Sequence, residues 1–218
     1  MEFAFPSYLP DPPPGKLLCI GKNYARHAEE MHSDVPDEPM VFLKPRTALL
    51  GDGEVVRLPP ESDDVHHEVE LVARIGQGGH NIPQSGVTRH VSHYAVGLDV
   101  TARDVQAAAK ERGHPWSVAK GYDTFAPVGR FAAASDVADP QALGIELTVN
   151  GETRQSGSTR HMAFPLAELV AYCSRVFTLE EGDLLFTGTP EGVAPLRAGD
   201  EVEARVEGLP PLRVNVRS

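Results

Sequence analysis

The run His66-His67-Glu68-Val69-Glu70-Leu71 places two carboxylates two positions apart. On a β-strand such positions share a face, with Cα atoms about 6.8 Å apart. Glu68 and Glu70 then point one way, and Val69, Leu71, Ala73 and Ile75 the other. Two close carboxylates removed from water cannot both stay ionised without a cation beside them. Taken alone, the alternation favours the plainer reading, the solvated face of an antiparallel sheet. A third carboxylate, Asp99, follows the apolar run Tyr94 to Leu98, just before a helical pattern begins. Three carboxylates from two strand segments form an all-oxygen donor set suited to Mg2+, Mn2+ or Ca2+, not zinc.

Further groups with chemistry stand near these. Arg103 and Gln106 are three apart and share a helix face one turn beyond Asp99. His27 and Glu30 are three apart in GKNYARHAEE. A carboxylate next to an imidazole can orient it, or take a proton from water with it. Each fragment also has a plainer reading: an isolated His-x-x-Glu is a helix-surface ion pair, and Asp99 is an N-cap. Lys44, before Pro45, reads as a structural cation or ion pair. Lys120 reads by itself as a surface residue before a glycine turn. His66 and His67 follow each other, so one points away from the glutamates, and neither is needed as a ligand. His32, His114 and His161 have no supported role, with His114 or His161 the candidates for a pocket border.

The elements that must hold these residues are mostly short strands. Leu17 to Ile20, Met40 to Lys44, His66 to Ile75 and Tyr94 to Val100 read as strands in the first half. Tyr24 to Met31 reads as a short helix, and Ser33 to Pro39 as a loop or lid. Thr101 suits an N-cap with Asp104 three residues on, and that helix runs to Arg112 with Gly113 as its stop. Ile145 to Val149, Asn150-Gly151 and Glu152 onward form a hairpin signal, since Asn-Gly accepts the positive φ of a type I′ turn. Pro165 opens a helix through Val176 with Leu166, Leu169, Val170 and Cys173 on one face. Asp183 to Thr187, Glu201 to Val206 and Leu212 to Val216 complete the strands. Many strands with three helices predict an α+β, mainly β fold, as a barrel-like roll. Residues 1–16, proline-rich, read as an extended arm, and 17–218 as a single catalytic domain.

Composition narrows the partners. The chain has 218 residues, 41% of them hydrophobic and 23% charged, which is ordinary for a globular protein. A monomer of 23.5 kDa buries about 70% of its chain surface on folding, enough for a core. Net charge is −11, so nucleic acid and anionic membrane are not expected as partners. No apolar run reaches the ~18 residues of a membrane span. The first residues lack a basic then apolar leader, so secretion is not expected and a cytoplasmic location is. Cys19 and Cys173 sit among apolar residues with no CxxC partner, as buried thiols of a reducing compartment.

Together the segments GKNYARHAEEM (21–31), FLKP (42–45), HHEVELV (66–72), GLDVTARDVQ (97–106), KGYDTFAPVG (120–129), VNGETRQ (149–155) and LLFTGTPEGV (184–193) resemble the fumarylacetoacetate hydrolase family. The order and spacing are most similar to its short, single-domain acylpyruvate hydrolase branch. The resemblance implies a mixed β-roll with small flanking helices and a homodimer. It implies a divalent metal, Mg2+ or Mn2+ (Ca2+ in a crystal), on Glu68, Glu70 and Asp99. By motif, His27 and Glu30 become the water-activating pair, joined by Lys120 in catalysis. Arg103, Gln106 and Thr189 become substrate contacts. The family archetype carries a further acidic ligand near Gly21 to Asn23; no carboxylate stands there, so three carboxylates and water are expected. The implied substrate is an acylpyruvate-type β-diketo acid, cleaved at a C–C bond to pyruvate and a carboxylic acid. Decarboxylation of oxaloacetate and isomerisation of unsaturated keto diacids use nearly the same residues. A non-catalytic, metal-stabilised dimer that binds keto acids is the non-enzymatic alternative.

Overall fold

In the computed structural model, which describes residues 4–218, a six-stranded mixed sheet carries the acidic residues. Its order is Ala132–Ala133, Val91–Leu98, Val69–Ile75, Leu184–Phe186, Leu17–Gly21, Met40–Lys44. The Leu17–Gly21 and Leu184–Phe186 strands are parallel and the remaining neighbours antiparallel. A five-stranded sheet runs Glu152–Ser158, Gly144–Val149, Glu201–Val206, Leu212–Arg217, Val55–Arg57. The expected hairpin is present, with φ of +53° at Asn150 and +79° at Gly151. The fold is mixed α+β and mainly strand, with small helices, as expected.

The two sheets share one apolar core, in which Leu71, Ala73, Val96 and Leu98 meet Ile145, Leu147, Ala204 and Leu212. The Leu166–Val176 helix closes that core with Leu166, Leu169, Val170 and Cys173. The other face of the six-stranded sheet covers a second cluster, including Leu17, Cys19, Val72, Ala95 and Phe186. The Val69–Ile75 strand is therefore buried on both faces. Its odd positions enter the shared core, whereas Val72 enters the second cluster. Glu70 lies on the Val72 face, so the glutamates look into a second interior rather than into water.

Three expectations need correction. The His66–Ile75 strand is broken: Val65–His66 pairs with Thr101–Ala102, and the long strand starts at Val69. The reason is that His67 and Val69 direct their backbone N–H groups to Ala194 O and the Gln155 side chain instead of to a ladder. Thr101 is not the helix cap. It sits in the two-residue strand, its hydroxyl donates to Asp99 O, and the helix Arg103–Glu111 starts after Ala102. A fourth, unforeseen α-helix, Ser117–Lys120, carries Lys120 at its end. The proline-rich segment is tied down, with Arg74 donating to the carbonyls of Pro10, Asp11 and Pro12. No helix among the described residues is long and apolar enough to cross a membrane.

Candidate metal centre and active site

Glu70 on its strand, Glu68 at the strand's entry and Asp99 after the Val91–Leu98 strand converge. One carboxylate oxygen from each lies within 4.8 Å of the others, and all three residues are buried. Backbone pairing enforces this, because Asp99 N–H donates to Glu68 O at 2.8 Å. Three cations meet the triad. Arg103 Nη2 is 2.6 Å from Glu68 Oε1. Lys120 Nζ bridges Glu68 Oε2 at 2.9 Å and Asp99 Oδ2 at 2.6 Å. Lys44 Nζ is 2.7 Å from Asp99 Oδ1 and also donates to Val100, Lys120 and Phe125 carbonyls.

The charges are unevenly shared. Burial would raise the Glu68 carboxyl, but Lys120 and Arg103 beside it hold it well below the usual carboxylate range. Burial pushes Glu70 well above that range, and the Asp99 and Glu68 charges push it further. Glu70 accepts one backbone hydrogen bond, from Gly188 N–H at 2.7 Å. Among the described residues it has no salt-bridge partner. A buried carboxylate with only that support fits a bound cation as its missing counter-charge. The donor set is all carboxylate, which matches a hard divalent ion. Gly188 is required there: its φ is +95°, and an added Cβ would stand 2.7 Å from Asn23 Cβ. Asn23 itself is no ligand, since its amide is spent on Phe164 and Thr187.

Above the triad lies a narrow cavity whose walls include His27, Glu68, Glu70, Arg103, Gln106, Lys120 and Thr189. Asp99 lies behind this wall and joins it through Lys120. His27 Nδ1 is 3.1 Å from Glu30 Oε2, and Glu30 also accepts from Gly192 N–H. The imidazole faces the cavity, whereas Glu30 stands behind it. The helix Arg103–Glu111 sets Arg103 against Gln106, with Nη1 donating to Oε1 at 2.9 Å.

Gln155 ends the VNGETRQ segment, where the sequence assigns it no role, and it is fully buried. Its Oε1 accepts from Val69 N–H at 3.0 Å and lies 2.9 Å from His67 Nδ1. Its Nε2 donates to Thr189 Oγ1 and Pro190 O, both at 2.8 Å. His67 is thus a wedge beneath the site, and burial lowers its basicity. His66 turns to Asp64 instead. His114 and His161 do not border the main cavity; each lines a separate surface depression. Lys22, Phe42, Lys110 and Trp116 also wall the main cavity and were not foreseen. For Lys110 a signal existed, because it stands seven residues after Arg103 on the same helix face.

A compact β fold around a buried carboxylate triad ringed by lysine and arginine defines the class, and comparison gives the family. Residues 16–217 match the fumarylacetoacetate (FAA) hydrolase C-terminal domain, and the chain belongs to this family of enzymes. The mitochondrial oxaloacetate tautomerase of Arabidopsis thaliana is 45% identical over 201 residues, 92% of this chain and 90% of that protein. The crystal structure of fumarylpyruvate hydrolase from Pseudomonas aeruginosa, in complex with Mn2+ and pyruvate, superposes with a TM-score of 0.91 at 41% identity. It is matched over 94% of this chain and 90% of that one. The 5-carboxymethyl-2-hydroxymuconate delta-isomerase of Mycobacterium smegmatis gives 0.84 at 40% identity, over 94% of this chain and 79% of that one.

Proposed function

We propose that this protein is a divalent-metal-dependent enzyme of 2-oxo acids that hydrolyses a C–C bond in acylpyruvate-type β-diketo acids. The observation that carries it is the cavity itself: an imidazole backed by a carboxylate faces a carboxylate triad across arginine and lysine. Mg2+ or Mn2+ held by Glu68, Glu70 and Asp99 would supply Lewis-acid polarisation of the substrate's carboxylate and 2-oxo oxygens. The complex of the Pseudomonas aeruginosa enzyme with Mn2+ and pyruvate supports this reading.

The chain's own residues do the rest. Arg103 and Thr189 bind the substrate carboxylate, with Gln106 held beside it by Arg103. His27, oriented by Glu30, takes a proton from water, and the hydroxide adds to the acyl carbonyl. The C–C bond pair passes to the pyruvate fragment as an enolate, which Lys120 stabilises where the charge develops. The proton on His27 returns to that carbon, leaving pyruvate and a carboxylic acid.

A second reading is keto–enol tautomerisation of oxaloacetate, favoured by the Arabidopsis thaliana relative. It needs the same enolate and the same proton carrier, but no attacking water. Incubation with acetylpyruvate, fumarylpyruvate and enol-oxaloacetate, each with Mn2+, separates the two. Pyruvate release from the first two supports hydrolysis. Accelerated loss of enol absorbance with no turnover of either acylpyruvate replaces it with tautomerisation. The reading includes a homodimer, for which the edge strand Met40–Lys44, with Leu43 exposed, offers a face. Sedimentation equilibrium at micromolar protein tests it, and a 23.5 kDa species overturns it.

A further inference from the structure

The chain has five lysines, Lys16, Lys22, Lys44, Lys110 and Lys120. Three of them are spent on ion pairs. Lys16 is held by Glu180 and Asp183. Lys44 is buried against Asp99, and Lys120 against Asp99 and Glu68. An ammonium fixed on a carboxylate has no lone pair to offer. Lys22 and Lys110 remain, and both stand in the wall of the main cavity. Among the described residues, neither lies within salt-bridge distance of a carboxylate.

Lys110 is the more crowded of the two. Arg103, Gln106 and Lys110 recur at the spacing of one helix face, which brings all three to the same cavity. Its Nζ lies 5.2 Å from the centroid of the Trp116 ring. Trp116 packs edge-on against Phe42 at 5.8 Å, so the amine rests on an aromatic shelf of the cavity. Burial lowers this amine below the ordinary lysine value, and the Arg103 and Lys22 charges lower it further. Glu68, the Trp116 face and the last turn of the helix act in the opposite sense. An amine crowded by cations gives up its proton more readily than one facing water. The lone pair so freed is the nucleophile of imine formation.

We infer that Lys110 is a nucleophilic amine of the cavity, which condenses with the oxo carbon of a 2-oxo acid to form a reversible imine without any metal. The ammonium first releases one proton to solvent. The amine nitrogen then adds to the oxo carbon, the C=O bond is replaced by C=N, and one water leaves. No oxidant or reductant is involved, and addition of water reverses the step. Arg103 and Lys22, in the same wall, meet the carboxylate next to the reacting carbon. The imine holds the oxo acid covalently and draws electrons from the adjoining carbon, as a Lewis acid does at a carbonyl oxygen. This inference rests on the 2-oxo acid reading above for its choice of carbonyl, but not on which reaction the metal centre performs.

Reductive trapping tests it. The protein would be incubated at neutral pH with pyruvate and cyanoborohydride, once with Mn2+ and once with a chelator. Cyanoborohydride reduces an imine to a stable secondary amine, and peptide mass spectrometry then locates the carboxyethyl group. Lys110 is expected to carry about tenfold or more adduct than any other lysine, in both conditions. Lys110→Met should remove that adduct. Lys22→Met should lower labelling of Lys110 by about threefold, because one cation fewer crowds the amine. No adduct, equal labelling of Lys22 and Lys110, adduct on Lys120 instead, or an unchanged total in Lys110→Met overturns the inference. Calorimetry of pyruvate with the Mn2+-loaded wild type is the separate check on the 2-oxo acid reading. Binding without an adduct leaves that reading intact, and neither binding nor adduct overturns both.

Discussion

Gln155 Nε2 lies 2.8 Å from Thr189 Oγ1, and this contact sets the polarity of a hydroxyl in the active-site wall. The amide cannot be reversed. Val69 N–H is a donor only and faces Oε1, while Pro190 O is an acceptor only and faces Nε2. Thr189 therefore accepts from Gln155 and directs its own proton elsewhere, toward the cavity that it lines. A donor pointing into the cavity is what an anionic ligand oxygen requires.

Gln155→Glu should withdraw that donor, because the threonine proton would turn back to the new carboxylate. The expected result is a rise in KM of about tenfold, with kcat changed less, from the loss of one buried hydrogen bond to substrate. Thr189→Val should give a similar rise. The double variant should be no worse than Thr189→Val alone, because both act through one hydroxyl. Additive losses in steady-state kinetics would show that Gln155 acts only by supporting the fold.

Glu70 gives a prediction about metal and stability together. Its raised carboxyl favours the fold below the ordinary glutamate range, and that contribution is lost as pH rises toward the raised value. In metal-free protein at neutral pH, Glu70 is thus a burden that a bound cation relieves. Glu70→Gln keeps an oxygen for Gly188 N–H and removes the charge. Its metal-free melting temperature should equal or exceed that of the wild type. The rise that Mn2+ gives the wild type should vanish, as should binding of Mn2+ in calorimetry. A Glu70→Gln protein still stabilised by Mn2+ would exclude Glu70 as a ligand.

Lys44 is the buried counter-charge of Asp99 and the hub of three carbonyls. Lys44→Met fills the volume but leaves Asp99 with Lys120 alone and its Oδ1 without a cation. Removing one partner of a buried pair costs about 3–5 kcal/mol, a fall of roughly 6–20 °C in melting temperature for a chain of this size. Mn2+ should recover part of the loss by placing positive charge beside Asp99. Thermal melts with and without Mn2+ test both parts; an unchanged melting temperature would show that Lys120 alone balances Asp99.

These predictions differ in how far the sequence supports them. The glutamate pair was legible because strand periodicity puts Glu68 and Glu70 on one side, but it took Asp99 and the family resemblance to read that side as a metal site and not a solvated face. The hairpin and the Leu166–Val176 helix were legible because turn chemistry and apolar spacing are local. Lys120 was harder, since its helix has four residues, too short for any periodic signal. Gln155 stood in the VNGETRQ segment, but its role was hidden: its partners lie 34, 86 and 88 positions away. Only the meeting of the two sheets brings them together.

The last prediction concerns Glu30. It stands behind His27 and is held by Gly192 N–H, so it acts on the substrate through the imidazole. Glu30→Gln keeps the volume and an oxygen for Gly192 but removes the charge that supports a protonated His27. Hydrolysis requires His27 to accept a full proton from water. Pyruvate formation from acetylpyruvate should therefore fall by about 10²–10⁴-fold, the usual contribution of a general base. Pyruvate formation from oxaloacetate by decarboxylation, where it occurs, reaches the same enolate without attacking water and should fall less. Lys120→Met should impair both, since the enolate is common to them. The measurement is pyruvate release from each substrate under saturating Mg2+ for both variants. Equal losses from the two substrates in Glu30→Gln would place Glu30 in shaping the cavity, through Gly192, and would remove it from proton transfer.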